Sequence, residues 1–477
     1  MYNKSIKLLL INKNSSIKEA IKTIDRGSLG IAFIIDKNNK LFGVVTDGDI
    51  RRAILGGINI KNSIVDIANK NPITIKSENI KKEILYLKGR KDVIKKRPSM
   101  GSLKIPVIDQ MGRIKDIIFI YSDEQNKIKY FNQRPKFVKD GIKNIFITGG
   151  AGYLGSVLCR KLLAAGYNVR VLDNLTYGDE GIKELYKNPK FEFLKGDVRN
   201  ISNVMEAAKG MDAVIHLSAI VGDGACQIDS KETIEINYLS AKAVAEACKF
   251  NQINKFLFAS TCSVYGSNQT PRDRLKEDSP LNPVSLYAET KLKSEEGILS
   301  LADENFSPTI FRFATLYGVS PRMRFDLVVN LMTADAVTKN KIAVFGGNQW
   351  RPNLEVSDAA EACLKWVFSP IDKSGGQIFN VGSSQQNFKI SEIGRMIQEN
   401  ISGTKIDHKK NESDLRDYNV SFDKILKILN FKTKKTIKAG ILDIKKFIEC
   451  KKIKDFNSPQ YNNYRFLSNN KENINIK

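Results

Sequence analysis

The chain has 477 residues, with 76 Lys and Arg against 52 Asp and Glu, for a formal net charge of +24. That length exceeds the roughly 250–300 residues at which one core stops growing, so more than one domain is expected. At 42% hydrophobic and 27% charged residues, the composition is globular and excludes wholesale disorder. Six cysteines without a C-x-x-C pair exclude a disulfide framework or a zinc site and fit a reducing compartment. No apolar run approaches the roughly 20 residues of a membrane span, and Leu8 to Ile11 is too short for a signal-peptide core. A soluble, cytoplasmic protein is expected. The charge is lopsided, residues 1–141 holding 29 basic against 14 acidic side chains. It lies mainly in lysine, with no arginine-rich helix, aromatic–basic interleaving or metal-finger spacing. A compositional bias in an Asn- and Ile-rich chain therefore explains it better than a nucleic-acid partner.

Residues 1–125 contain two similar half-units. The first reads as a helix over Ser16 to Arg26, a strand over Gly30 to Asp36, a turn, and a strand over Leu41 to Thr46. Asp47-Gly-Asp49 then opens a helix to Leu55. The second half-unit repeats the hairpin at Lys104 to Asp109 and Ile114 to Ile120. Residues 126–141 are polar, contain Pro135 and read as a linker. The repeat resembles a CBS-domain pair, with Gly43-Val-Val-Thr46-Asp47-Gly48-Asp49 as the most family-like stretch. That resemblance implies an adenine nucleotide held by Thr46 and Asp49. The same two residues are also ordinary helix caps, and the second half-unit lacks the pattern.

From Lys143 the text changes. Lys143 to Thr148 is a short apolar strand, followed by Gly149-Gly-Ala-Gly152-Tyr153-Leu154-Gly155, a helix to Ala165, and a strand from Asn168 to Asp173. Strand, glycine turn, helix and an acid-terminated strand together predict a dinucleotide site, with the pyrophosphate on the helix N-terminus. Asp173, with Asn174 behind it, is placed for the adenosine ribose, and its charge favours NAD over NADP. Further strands over Phe191 to Asp197, Asp212 to Ala219 and Lys255 to Ser260 predict a doubly wound parallel Rossmann sheet within 142–455. Asp197 and Val198 end one strand where adenine would lie; Leu217, Ser218, Ala219 and Ser260 end two others on the cofactor side. His216 reads as a packed structural histidine and His408 as solvated. No metal is expected.

Ser260-Thr261-Cys262-Ser263-Val264-Tyr265-Gly266 is followed by Tyr287-Ala-Glu-Thr-Lys291. Tyr287 and Lys291 are i,i+4 on a helix and share a face. An ammonium and a nicotinamide cation near the phenol favour its deprotonation, making it a base for a sugar hydroxyl. Here the chain resembles the extended short-chain dehydrogenase/reductase family, the NAD-dependent nucleotide-sugar epimerases and dehydratases similar to UDP-glucose 4-epimerase. The resemblance implies Thr261, Tyr287 and Lys291 as catalytic residues and a C-terminal substrate lobe entered at Arg312 to Gly318. It also implies diphosphate contacts at Arg351, with Arg322 and Arg324 as alternatives, and a homodimer.

Departures from the family narrow the chemistry. Dehydratases carry Asp-Glu directly after the catalytic Thr, where this chain has Cys262 and Ser263; the family's frequent His after the Arg-Pro pair is Glu355. C4 epimerisation of a nucleotide sugar is the reading this leaves, serving surface-polysaccharide synthesis by resemblance. A dehydratase or ketoreductase, or a non-catalytic NAD and adenine-nucleotide sensor, are the alternatives. Residues 456–477 read as a polar, poorly ordered tail.

Overall fold

The computed structural model describes residues 6, 9–27, 31–80, 82–83, 103–122, 128–131, 142–267, 274–303, 305–410, 416–453 and 455–474. It divides into two compact units, 1–139 and 140–477.

In the first unit, strands β1 (Leu10–Asn12), β2 (Ile31–Ile35) and β3 (Leu41–Thr46) form one sheet. Strands β4 (Ile75–Lys76), β5 (Leu103–Ile108), β6 (Ile114–Ser122) and β7 (Ile128–Phe131) form another. The repeat seen in sequence is physical. Each hairpin closes on an aspartate that accepts two backbone N–H groups across the turn: Asp36 from Asn38 (2.8 Å) and Lys40 (2.9 Å), Asp109 from Met111 (3.0 Å) and Arg113 (2.9 Å). Each also carries a register shift at the same place, between Ile34 and Ile35 and between Val107 and Ile108. β7 corrects the expected linker, because 128–131 pairs antiparallel with β6; residues 132–141 lie outside the described residues.

The second unit is built on seven parallel strands in the order β10, β9, β8, β11, β12, β13, β17. These are β8 (Asn144–Thr148), β9 (Asn168–Asp173), β10 (Phe191–Lys195), β11 (Ala213–His216), β12 (Lys255–Thr261), β13 (Ser307–Phe313) and β17 (Ile378–Val381). Side chains alternate faces along each strand. Ile145 and Ile147 pack under helices Tyr153–Ala164 and Val356–Phe368, while Phe146 packs under Ile201–Ala208 and Ser240–Phe250. Parallel strands buried on both faces explain the near-continuous apolar runs. The substrate lobe adds β14 (Thr315–Tyr317), β15 (Lys341–Phe345), β16 (Trp350–Glu355), β18 (Asn387–Lys389) and β19 (Lys405–Lys409), in sheets β14-β16-β18 and β15-β19.

The expected loose tail is instead a short 3-10 turn, Pro459–Tyr461, and a helix, Asn463–Ile474. Sequence polarity concealed a few well-spaced anchors: Phe456 and Tyr461 flank Phe325 with ring centroids 5.9 and 5.4 Å away.

His216 is structural, as its sequence setting suggests. It is fully buried, its Nδ1 lies 2.7 Å from the Thr148 hydroxyl, and its ring stacks on Phe258 at 5.8 Å. Burial, aided by Lys291, lowers its pKa to about 3. The neutral ring therefore contributes stability that is complete above the unfolded value of 6.5 and lost as pH falls from there toward 3. A His216→Gln variant should lack this dependence. The stability difference between the two proteins should shrink by about 1.4 kcal/mol per pH unit below pH 6, measured by urea unfolding.

Candidate active site

The glycine turn after β8 works by close approach. Gly149 has φ +73°, and a Cβ there would stand 2.8 Å from the Ser218 nitrogen. A Cβ on Gly155 would stand 2.4 Å from the Gly149 carbonyl oxygen. Both obstacles are backbone, so neither can move aside, and the helix N-terminus sits directly on the turn. Asp173 ties the turn to β9: its carboxylate accepts from Ala151 N–H at 3.0 Å and Leu175 N–H at 2.9 Å. Burial nonetheless raises its pKa. The backbone cradle and the acid beside it fit a dinucleotide such as NAD.

Every cofactor, catalytic and substrate residue expected in this unit lines one cavity of about 720 Å³. Gly149, Gly152, Tyr153, Leu154, Gly155, Asp173, Asn174, Asp197 and Val198 line it together with Leu217, Ser218, Ala219, Ser260, Thr261, Tyr287 and Lys291. Arg322 and Arg351 line it too, Arg322 on the side of the glycine turn, next to Ala151 across Gly181. Some of these side chains already have structural partners. Tyr153 donates to the Gly318 carbonyl at 2.6 Å, tying the turn to the substrate lobe. Asp197 is ion-paired to Arg199 at 2.8 Å and accepts from Asn174 at 3.3 Å. Ser260 donates to Glu295. Among the described residues no acidic, His or Cys cluster could hold a metal ion.

The helix Leu286–Leu299 starts at Ser285, whose hydroxyl accepts from Ala288 N–H at 3.3 Å. It presents Tyr287, Lys291 and Glu295 at i, i+4 and i+8. Glu295 forms a buried ion pair with Arg312 of β13 at 2.7 Å. Lys291 donates to the Ala259 carbonyl at 2.8 Å, its ammonium 4.7 Å from the Phe258 ring centre, and burial lowers its pKa to about 8. Thr261 accepts from Ser263 N–H at 3.1 Å, and its hydroxyl lies near enough to the Tyr287 phenol to work against the rise in its pKa. Burial, with Cys226 and Asp223 adding to it, pushes the Tyr287 phenol above its ordinary value. The protein's own groups thus keep the phenol protonated, against the expected shift toward neutrality.

Cys262 and Ser263, where dehydratases carry acids, are both buried. The Cys262 thiol meets the Arg312 carbonyl at 3.3 Å, and burial pushes its pKa up; it is a packed side chain. Ser263 pairs with the Tyr418 hydroxyl at 3.1 Å. Arg351 is 4% exposed and donates to the carbonyls of Trp350 (2.8 Å) and Arg416 (2.5 Å). Arg324 is held by Asp326 at 2.8 Å, and Glu355 accepts from the backbone of Ser357 at 2.7 Å as a helix cap. Sequence reasoning missed Tyr177, Asp223, Arg416, Tyr418 and Asn463, all of which line the cavity. Tyr177, Arg416 and Tyr418 sit on loops, and Asp223 and Asn463 are the first residues of helices Asp223–Ile228 and Asn463–Ile474, where no periodicity marks them. In the first unit, Thr46 and Asp49 form a capping box, Asp49 accepting from Thr46 N–H at 2.9 Å, and Arg52 pairs with Asp49 at 2.5 Å.

Comparison with known proteins agrees with this geometry. Residues 145–382 match the model of the NAD dependent epimerase/dehydratase family, and residues 4–56 match the CBS domain. A putative UDP-glucose 4-epimerase of Methanocaldococcus jannaschii is 31% identical over 317 residues, spanning 62% of this chain and 95% of that protein. The UDP-glucose 4-epimerase of Bacillus subtilis is 28% identical over 289 residues, spanning 56% of this chain and 84% of that one. The solved UDP-glucuronic acid 4-epimerase of Bacillus cereus, in complex with UDP-glucuronic acid and NAD, matches with TM-score 0.56 and 25% identity. That match covers 64% of this chain and 99% of the other. With its glycine turn, its Thr261–Tyr287–Lys291 cluster and these matches, the chain belongs to the NAD-dependent epimerase/dehydratase family and carries a CBS domain at its N-terminus.

Proposed function

We propose that the protein is a nucleotide-sugar 4-epimerase. The observation that carries this reading is that Thr261, Tyr287 and Lys291 line the same cavity as the glycine turn, with no carboxylate at positions 262 and 263. NAD bound at the turn supplies a reversible acceptor for the hydrogen on the sugar carbon. Tyr287 takes the proton of the hydroxyl on that carbon, and Thr261, beside the phenol in the same cavity, aligns that hydroxyl. Lys291, close to its own titration, supplies cationic charge on the same helix face. Returning both hydrogens after the keto-sugar has turned over inverts the carbon without net redox change. Arg322 and Arg351 are suited to the diphosphate because a guanidinium fork matches phosphate oxygens.

One observation favours a dehydratase instead. Asp223 lines the same cavity and pairs with Arg416 at 2.7 Å through one carboxylate oxygen, while the other is buried without a partner. That oxygen is an acid–base group in place of the missing pair. A panel of nucleotide sugars read by NMR separates the two: an epimer mixture supports the first reading, a 6-deoxy-4-keto sugar the second.

Tyr287→Phe should lower kcat by about 10²–10⁴-fold, the span of a lost general base, while NAD remains bound. Gly155→Ala should lose NAD outright, seen as no nucleotide released on denaturation.

For the first unit we propose adenine-nucleotide binding at Thr46 and Asp49. AMP or ATP at millimolar concentration should then raise the melting temperature, and Thr46→Ala with Asp49→Ala should abolish the rise. Assembly as a homodimer is proposed from the exposed apolar side chains Ile234, Leu239 and Phe250 beside the catalytic helix; light scattering reads it directly.

A further inference from the structure

The C-terminal helix forms a wall of the cavity: Asn462, Asn463, Tyr464 and Leu467 all line it. Leu467 packs on the small apolar cluster of Ile220, Ala225 and Cys226, and so does Tyr287. Asn463 is 2% exposed and fully engaged. Its backbone N–H donates to Asp326 at 3.1 Å, its side-chain N–H reaches the Val221 carbonyl at 3.5 Å, and its side-chain oxygen accepts from Arg322 Nη2 at 2.7 Å.

Arg322 is unusual in this setting. It is 6% exposed, lies over the Tyr177 ring at 4.4 Å, and keeps a buried Nε–H without a partner. Tyr177 is in turn braced by Phe466 of the same C-terminal helix, ring centroids 5.3 Å apart. A guanidinium that lines the cavity without an ion pair of its own among the described residues, beside a second cation in Arg324 whose charge Asp326 already answers, is poised for an anion. Asn463 holds it through a neutral oxygen, which fixes the side chain without cancelling its charge. A carboxylate there would occupy the cation before any ligand arrived.

Resting on the nucleotide-sugar reading above, we propose that Asn463 is a positioning residue for substrate binding. With Phe466 it locks Arg322 over Tyr177 so that the guanidinium meets the diphosphate of a nucleoside-diphosphate sugar. The C-terminal segment is thereby part of the substrate site.

The test measures nucleoside-diphosphate binding to the full-length, NAD-bound protein by titration calorimetry, with UDP, dTDP, GDP and CDP as probes. Asn463→Ala should weaken the best diphosphate about tenfold and raise KM for its sugar by a similar factor, with kcat within about twofold. Arg322→Ala should weaken binding at least as much, and the double variant should be no weaker than Arg322→Ala alone, because one residue acts through the other. A chain ending at Tyr461, which keeps Phe456 and Tyr461 on Phe325, should behave like Asn463→Ala. Arg465→Ala, exposed on the same helix and outside the cavity, should bind normally. Unchanged affinity in Asn463→Ala, or additive losses in the double variant, would overturn the proposal while leaving the epimerase reading intact. If the intact protein binds no diphosphate, the nucleotide-sugar reading and this proposal fall together.

Discussion

A buried ion pair sets the geometry of the whole site. Glu295 and Arg312, with side chains 1% and 2% exposed, meet at 2.7 Å between the catalytic helix and β13. Two charges taken that far from water are costly unless every remaining hydrogen-bonding position is filled. Here Ser260 donates to the carboxylate, while the guanidinium also reaches the Tyr265 hydroxyl and the Glu277 carbonyl, both at 3.1 Å. The network touches β12 through Ser260, the turn after it through Tyr265, and the helix through Glu295. It therefore fixes the helix in register against the strand that ends in Thr261. Lys291 and Tyr287 lie one and two helical steps of four residues back along the same face, so their positions follow from that of Glu295. The site is precise because its supports are rigid secondary structure rather than loops.

Desolvation then tunes the chemistry. The same burial lowers Lys291 to about 8 and pushes the Tyr287 phenol up. Both shifts disfavour charge, so the protein alone rests with its base protonated and its lysine weakened. A cationic cofactor held at the glycine turn would favour the phenolate and would disfavour the Lys291 ammonium further. An enzyme arranged this way carries no reactive phenolate while its cofactor site is empty.

Much of this was legible in the sequence. The β8 turn could be read because its glycines answer to backbone contacts that no other residue permits, and Asp173 because a strand end fixes its place. Tyr287 and Lys291 were legible because helical spacing dictates a shared face. His216 declared itself as a packed group by closing an apolar strand. Tyr177, Arg416 and Tyr418 were not legible because loops carry no periodicity, nor was Asn463, at the first position of a helix, because its contacts are long-range. The C-terminal segment was misread for a related reason: average polarity outweighs three or four anchoring side chains in a short stretch, although those anchors decide whether it folds. The +24 charge also changes meaning. Of the cavity's cations, Arg324 and Arg416 face acids and Arg351 faces backbone carbonyls, which leaves the surplus as composition rather than a surface for a large anion.

The central claim is that Tyr287 and its neighbours drive a reversible oxidation at one sugar carbon, with the hydrogen returned to that carbon. Deuterium placed at C4 of the accepted nucleotide sugar tests it most directly. The account predicts that the epimeric product retains the label at C4, with no loss to solvent. Label found at C6, or lost to water, would contradict it.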